Sequence, residues 1–339
     1  MSEFDLIRRL QEVICTPGAR YRAQCVLGVG DDGAVLELPP ERQLVVCTDT
    51  LVEGVHFPLD TGPAAIGHKA LAVNLSDLAA MGAEPAWFFL ALTLPAAAPA
   101  WLEPFAQGMA RLASAASIWL AGGDVAAGPL NVCITALGLV DKDRALTRAG
   151  ARPGELVAVS GRPGAAAHAL ALLQAGRVPD ARALAALEFP QPRLELGLAL
   201  RGLATACIDL SDGLLADLGH ILEASGAGAE LELGRLPCAE SMAGLPESER
   251  WRLQLAGGDD YELCFTLPAA RAGELDALQR RSGLELTVIG RITAQAGLAL
   301  RAPDGSPYRA ERAGFDHFGG YRGEGGPAVP HRQPCAPWR

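Results

Sequence analysis

Residues 69–82 read KALAVNLSDLAAMG, and no other stretch limits the possible folds as sharply. At 100° per residue, Leu71, Leu75, Leu78 and Gly82 line one face of a helix, and Ala and Val fill most of the rest. A helix apolar on nearly every side is a buried helix, so the chain must build a core around it. Asn74 and Asp77 are three residues apart and share a face. Asp77 is also the only acid between Lys69 and Met81. A lone carboxylate taken out of water costs several kcal/mol or picks up a proton. Asp77 must therefore meet a helix end, a lysine, or a cation brought in from outside.

The chain has 339 residues, enough for two domains with a sizeable core. Half of the residues are hydrophobic and 20% charged, which fits a well-packed globular protein. A formal charge of −10 argues against general binding to nucleic acid or an anionic membrane surface. The same charge repels an anionic substrate unless metal ions mediate. The N-terminus carries Glu3 and Asp5 and no apolar run typical of a signal peptide. No stretch approaches the ~18 unbroken apolar residues of a membrane span. The eight cysteines are scattered singly and form no CxxC pair, as expected of free thiols in a reducing cytoplasm rather than of a zinc site.

Periodicity predicts a helix over 3–14, strands at 34–38 and 44–48, a helix at 64–81, a strand at 87–94 and a helix at 99–117. Strands at 118–121 and 130–140 complete the first half. Polar, Gly- and Pro-bearing residues 141–155 read as a junction. Beyond it the expected elements are strands at 156–160, 204–208, 229–233, 261–267, 286–292 and 298–301. Helices are expected at 165–175, 213–225, 247–256 and 269–282. This alternation is that of an α/β (α+β) chain in two domains, residues 1–142 and 143–318. Residues 319–339, rich in Gly, Pro and Arg without periodicity, read as a disordered tail.

Gly28–Val35 spells G-x-G-x-x-G-x-V, but AVLEL follows it as a strand rather than a helix, and its two acids would repel a bare phosphate. A dinucleotide loop and a protein-kinase glycine loop are both excluded, the latter also because V-A-I-K, H-R-D and D-F-G are absent. More informative are six short acidic segments in turn-like settings: Gly30-Asp31-Asp32, Thr48-Asp49-Thr50, Asn74-Leu75-Ser76-Asp77, Gly122-Gly123-Asp124, Asp209-Leu210-Ser211-Asp212-Gly213 and Gly257-Gly258-Asp259-Asp260. Alone, each reads as a turn with an Asx cap, and Asp212 as the N-cap of the following helix. Together, mostly after strand-like runs, they place carboxylates where such folds bind ligands. Mg²⁺ is usually held by a few carboxylates plus substrate phosphates, so the pattern points to metal-bridged polyphosphate chemistry.

The ordered segments GVGDDGAVL, CTDTLVEGVHF, KALAVNLSDLAAMGAEPAW, AGGD, ALTRAGARPGE, IDLSDGLLADLGHI and GGDDYELCFT resemble the thiamine-monophosphate kinase family, within the aminoimidazole ribonucleotide synthetase-like superfamily, over roughly residues 3–318. The resemblance implies a homodimer in which the N-terminal α/β halves form a shared barrel and the C-terminal halves complete the sites. It implies transfer of the ATP γ-phosphoryl group to thiamine monophosphate with several Mg²⁺ ions. By the same resemblance Asp49, Asp77 and Asp212 are catalytic. Asp32, Cys47, Thr48, Asp49, Asp77, Asp124, Asp209 and Asp212 hold metal. Gly123, Asp124, Arg148 and Ser211 contact ATP, and His56, Asp259 and Phe315 contact the substrate.

Two positions depart from the family pattern. Cys47 stands where Ser is common, so a hydroxyl ligand there is lost and only a backbone oxygen survives. Asp259 stands where Glu is common and reaches less far. His68, His168, His220 and His317 lack ligand spacing and read as structural. The acceptor phosphate is already ionised near neutral pH, its second pKa being about 6, so direct in-line transfer needs no general base and no phosphoenzyme. Two alternatives remain. One is another ATP-using enzyme of the superfamily, akin to selenophosphate synthetase or the hydrogenase maturation factor. Cys15 and Cys25 lack the first enzyme's Gly-rich setting, and Cys335 is not the terminal residue that the second modifies. The other is a non-catalytic nucleotide-binding regulator, whose expected loss of metal carboxylates is not seen.

Overall fold

A computed structural model describes residues 3–312 and Gly314. Phe315 and the tail residues 319–339 lie outside the described residues. The first half runs α1 (Glu3–Ile14), β1 (Cys25–Leu27), β2 (Val35–Leu36), β3 (Arg42–Val52), α2 (Pro63–Ala80), β4 (Glu84–Leu94), α3 (Pro99–Ala115), β5 (Trp119–Ala127) and β6 (Asn131–Asp141). Strands β3, β6, β4 and β5 lie side by side in that order as one sheet, and β1 and β2 form a separate two-stranded ribbon. Within the single chain this four-stranded sheet is open rather than a closed barrel.

One face of the sheet is covered by α2 and α3 and carries the largest apolar cluster, with Phe88, Leu90, Leu92, Val132, Ile134 and Ala136 pointing into it. Pro63 at the first turn pre-sets the helical φ for α2, as such a helix start requires. The helices α2 and α3 cross at backbone contact. A Cβ on Gly67 would sit 2.1 Å from the Phe105 carbonyl oxygen, and one on Gly108 2.0 Å from that of Ala64. Leu71, Leu75 and Leu78 of α2 are fully buried. At about 1.5–3 kcal/mol for each such side chain, they offset the cost of placing Asp77 in the same helix.

The second half runs β7 (Leu156–Ser160), α4 (Ala165–Gln174), α5 (Ala181–Glu188), α6 (Leu194–Leu200), β8 (Ala206–Asp209), α7 (Leu214–Ser225) and β9 (Gly228–Glu232). It continues with α8 (Glu247–Ala256), β10 (Leu263–Leu267), α9 (Gly273–Ser282), β11 (Leu286–Thr293), β12 (Gly297–Arg301) and β13 (Pro307–Tyr308). Seven of these strands form the second sheet, in the order β13-β12-β9-β11-β7-β10-β8. Its pairs are antiparallel apart from β12 with β9. Helix α2 also packs against β8 and α6, so it is the element on which both sheets rest.

Two acidic segments expected at turns lie inside strands. Thr48-Asp49-Thr50 is in the middle of β3, whose pairing with β6 runs unbroken from Arg42 opposite Asp141 to Val52 opposite Asn131. Gly122-Gly123-Asp124 continues β5, which follows β4 to Ala127. The reason is cooperative. Asp49 and the Gly-Gly pair are poor strand formers, but a long partner ladder overrides them. Gly123 has no substitute there, because a Cβ would lie 2.1 Å from the Leu90 carbonyl oxygen.

Candidate functional site

Strand alternation decides which acids can meet. In β3, Val45, Cys47 and Leu51 pack into the helix-covered cluster, so Asp49 between them points toward α2. Asp77, in the last turn of α2, faces it: burial pushes Asp49 up, and a hydrogen bond with Asp77 opposes that shift. Burial pushes Asp77 further, to about 8, and the charges of Asp209 and Asp49 add to it. Asp209 is the last residue of β8 and is pushed up to about 6 by burial, against the hydrogen bond that Ser76 donates to its Oδ2 at 2.7 Å. Three carboxylates from three distant segments thus share one poorly hydrated place. Arg148 is the cation that acts on both Asp77 and Asp209 in the opposite direction.

Cys47 lies beside them. Its Sγ donates to the Asn74 carbonyl oxygen at 3.4 Å, and burial, followed by the charges of Asp77 and Asp49, holds the thiol protonated. A neutral thiol is a poor metal ligand, so what Cys47 offers a cation is at most its backbone. Thr48 points to the other face of the sheet, where its hydroxyl meets that of Thr135 at 3.0 Å.

Asp124 is also on that other face. Register aligns Asp124 with Ala91, Ala91 with Cys133, and Cys133 with Thr50, in one row across the open side. The sheet therefore stands between Asp124 and Asp49 within a single chain. Asp32, in the loop joining β1 to β2, is exposed, and its N–H donates to Asp31 Oδ1 at 2.9 Å. The structure unites Asp49, Asp77 and Asp209, while Asp32 and Asp124 stand apart from them on the loop and the open face.

The remaining acids come from two loops at one edge of the second sheet. Leu263 pairs with Asp209, which puts the entry to β10 beside the exit of β8. The Asp259 N–H donates to the Ser211 carbonyl and the Tyr261 N–H to that of Leu210, so segments 209–213 and 257–261 run together. Asp212 does not cap α7, since Gly213 is the cap residue and makes no side-chain cap bond. Asp217 Oδ2 instead accepts from the N–H groups of Ser211, Asp212 and Gly213, at 3.0, 3.1 and 3.0 Å. Burial, then the charge of Asp209, pushes Asp217 up to about 7.

Asp259 is held by a buried lysine. Lys69 Nζ lies 2.9 Å from Asp259 Oδ1 and donates to the His56 carbonyl at 3.2 Å, and the Tyr261 hydroxyl donates to Asp259 at 2.9 Å. Asp259 and Tyr261 both take positive φ, +69° and +51°, a strain that side chains rarely bear without such ties. The Val52 N–H donates to His56 Nδ1 at 3.0 Å, which leaves the proton of a neutral ring on Nε2. Of the histidines read as structural, His68 lies buried with Nε2 2.8 Å from the Pro190 carbonyl oxygen.

Sequence reasoning missed Lys69, Ser76 and Asp217. A signal existed for the first: the chain has only two lysines, and Lys69 is placed in its most apolar helix. For Asp217 the signal was a second acid in the first turn of the helix that follows SDG. Ser76 gave none.

Among the described residues, no three His, Cys, Asp or Glu side chains are arranged to hold a metal ion by themselves. The donor set still fits a hard divalent cation. Asp49, Asp77 and Asp209 offer carboxylate oxygens whose proton affinity is raised first by burial, with like charge adding to it at Asp77 and Asp209, and Mg²⁺ ordinarily completes its shell with waters and phosphate oxygens.

Residues 30–140 match the family described as AIR synthase related protein, N-terminal domain, and residues 152–302 its C-terminal domain. These matches, with the two-sheet fold, define an AIR synthase related protein. The chain is 45% identical over 322 residues to thiamine-monophosphate kinase of Escherichia coli K12, covering 93% of this chain and 98% of that one. It is 43% identical to the crystal structure of thiamine-monophosphate kinase from Stenotrophomonas maltophilia K279a, with a TM-score of 0.82 over 91% of this chain and 98% of that one. A further solved structure, AaThiL complexed with AMPPCP and TMP, is 30% identical, with a TM-score of 0.73 over 93% and 97%. The chain belongs to the thiamine-monophosphate kinase family.

Proposed function

We propose that this enzyme transfers the γ-phosphoryl group of ATP to the phosphate of thiamine monophosphate, giving thiamine diphosphate and ADP. The observation that carries the reading is the meeting of Asp49, Asp77 and Asp209 under Arg148 in a chain of this family. Both reactants are anions, so their approach is the main barrier and charge neutralisation the main catalytic need. Mg²⁺ ions, when bound, would supply that neutralisation. Asp49, Asp77 and Asp209 would hold them with Asp212 and the backbone oxygens of Cys47 and Thr48, while Asp32 and Asp124, which stand apart from these within one chain, would hold metal on the loop and the open face.

The protein's own groups position the reactants. Arg148 offers a positive charge to ATP beside the acids. Ser211 and Asp212 are presented by a loop that Asp217 fixes through its three N–H groups. Gly123 leaves backbone accessible beside Asp124 for ATP. The Nε2 proton of His56 suits the acceptor phosphate, Asp259 the aminopyrimidine, and Phe315 the face of a substrate ring. With an ionised acceptor no side chain need abstract a proton, and transfer is direct.

The two parts are residues 1–142, which bind ATP and metal, and residues 143–318. The open face of the first sheet, where Leu44 and Val46 are exposed, is the surface through which two chains form a homodimer, and it carries Asp124. Among the described residues no helix is long and apolar enough to cross a membrane; a cytoplasmic location is part of the proposal. The test is ADP release with ATP and Mg²⁺, with and without thiamine monophosphate. Release that depends on this acceptor, and not on selenide or carbamoyl donors, is the expected result. Acceptor-independent release, or tight binding without turnover, overturns the reading.

A further inference from the structure

A cavity of about 180 Å³ lies between the two halves of the molecule. Phe57 and Asp60 wall it from the segment after β3, and Lys69 from α2. Leu173 of α4, with Leu187 and Glu188 of α5, forms the opposite wall. It adjoins the substrate groups on two sides. Phe57 directly follows His56, and Lys69 is the same lysine that holds Asp259 and the His56 carbonyl. Its size is below the ~300 Å³ of sites for whole drug-sized ligands, so it has room for one substituted ring.

The walls are mixed in a specific way. Phe57, Leu173 and Leu187 offer flat apolar contact. Asp60 and Glu188 put two carboxylates on the same space, near enough that the charge of Asp60 acts on Glu188. Lys69 acts on Glu188 with the opposite sign, but its ammonium is already paired with Asp259 at 2.9 Å. The cavity is therefore short of positive charge. Glu188 is half-buried and Asp60 exposed at the rim, so an anionic occupant would be repelled by both acids, whereas a flat cation would meet both the apolar walls and the acids.

We infer that this cavity receives the cationic heteroaromatic part of the phosphate acceptor, and that Asp60 and Glu188 select for its positive charge. The inference rests on the phosphoryl-transfer reading and adds a specificity subsite to it. Thiamine monophosphate carries a quaternary thiazolium, a permanent charge that no phosphate contact can recognise. With the phosphate directed toward His56 and the acids, the cavity beside Phe57 and Lys69 lies on the path its rings must take.

The test uses the full-length enzyme with Mg²⁺, varying each substrate in turn. Asp60→Asn and Glu188→Gln each raise KM for thiamine monophosphate about tenfold, as the loss of one charge-assisted contact does. KM for ATP and kcat at saturating acceptor stay within about twofold on the same argument. A phosphorylated thiazole analogue without the quaternary nitrogen is discriminated against by wild type and less so by the double variant. Leu173→Trp, which narrows the cavity without touching its charge, also raises the acceptor KM alone. An unchanged acceptor KM in the double variant overturns the inference while wild-type turnover leaves the kinase reading standing. A parallel rise in KM for ATP also overturns it, since the effect is then on the fold. If wild type shows no acceptor-dependent turnover, the kinase reading and the subsite fall together.

Discussion

Asp77→Asn is expected to stabilise the magnesium-free fold while abolishing turnover. Asp77 is held at about 8 by burial and by the charges of Asp209 and Asp49. An acid raised in the folded state favours folding only while protonated. That contribution is complete below about pH 4, where unfolded carboxylates are also protonated, and is lost as pH rises through about 8. At about 1.36 kcal/mol per pH unit, the loss has an upper bound of about 6 kcal/mol. Burial is the largest cause of that shift, and Asp77 titrates together with its acidic neighbours, so the recovery in the variant is taken as roughly half the bound, about 3 kcal/mol.

Thermal unfolding followed by circular dichroism, in EDTA between pH 5 and 9, measures this. The midpoints of wild type and variant are expected to nearly coincide at pH 5. By pH 9 they separate by about 6 °C in the variant's favour, at roughly 2 °C per kcal/mol for a chain of this length. Added Mg²⁺ with ATP should reverse the order, since only wild type then has a carboxylate to pair with the cation. A variant no more stable than wild type at pH 9 in EDTA would refute the reasoning, because Asp77 would then not be a buried acid under repulsion.

Lys69→Met removes a buried ammonium and should raise KM for thiamine monophosphate at least tenfold with KM for ATP little changed. It should cost about 2–3 kcal/mol in urea unfolding, at the lower end for a broken buried pair because Asp259 keeps some solvent. Asp217→Leu deprives three backbone N–H groups of their acceptor, at about 1–3 kcal/mol for each group left buried and unpaired. The 211–213 loop should then exchange amide hydrogen faster, with kcat falling before the global fold is lost. Incubation with γ-radiolabelled ATP without acceptor should leave the protein unlabelled after denaturation. A stoichiometric burst of label would require a phosphoenzyme and contradict direct transfer.

Much of the fold was legible because hydrophobic periodicity is local. The apolar helix around Asp77 was read within a residue of its observed Pro63–Ala80 span, and the apolar alternation of β4 and β6 marked them as strands. What failed was local evidence that the partner strand overrides. Thr48-Asp49-Thr50 looks like a turn until β6 pairs with it throughout, and Gly122-Gly123 looks like one until β4 does. Helices α5 and α6 went unread because Pro190 and Pro192 break an Ala- and Leu-rich stretch into pieces too short to show a period. The acids were visible as residue types, but not their sides of the sheet. Nothing in the residues alone tells that Asp49 faces α2 and Asp124 the open side, since a one-residue change in register exchanges the two faces.

The hydrogen bond from Ser76 to Asp209 joins α2 of the first half to β8 of the second. Ser76 is fully buried and Asp209 nearly so, so no water can replace the hydroxyl cheaply. The bond acts against the burial that lifts Asp209 to about 6. In Ser76→Ala the proton is held more tightly and Asp209 titrates at a higher pH. If Asp209 must be ionised to take its place in phosphoryl transfer, the acid limb of the pH profile of kcat/KM moves upward. The alkaline limb and the activity well above neutrality stay near wild type. A purely structural role for Ser76 would lower activity equally at every pH, and a limb that is unmoved or moves downward would show that Asp209 is not the titrating group. The two halves are thus coupled electrostatically through one helix: any change in the angle between the sheets alters the Ser76–Asp209 distance and with it the charge presented to the phosphates.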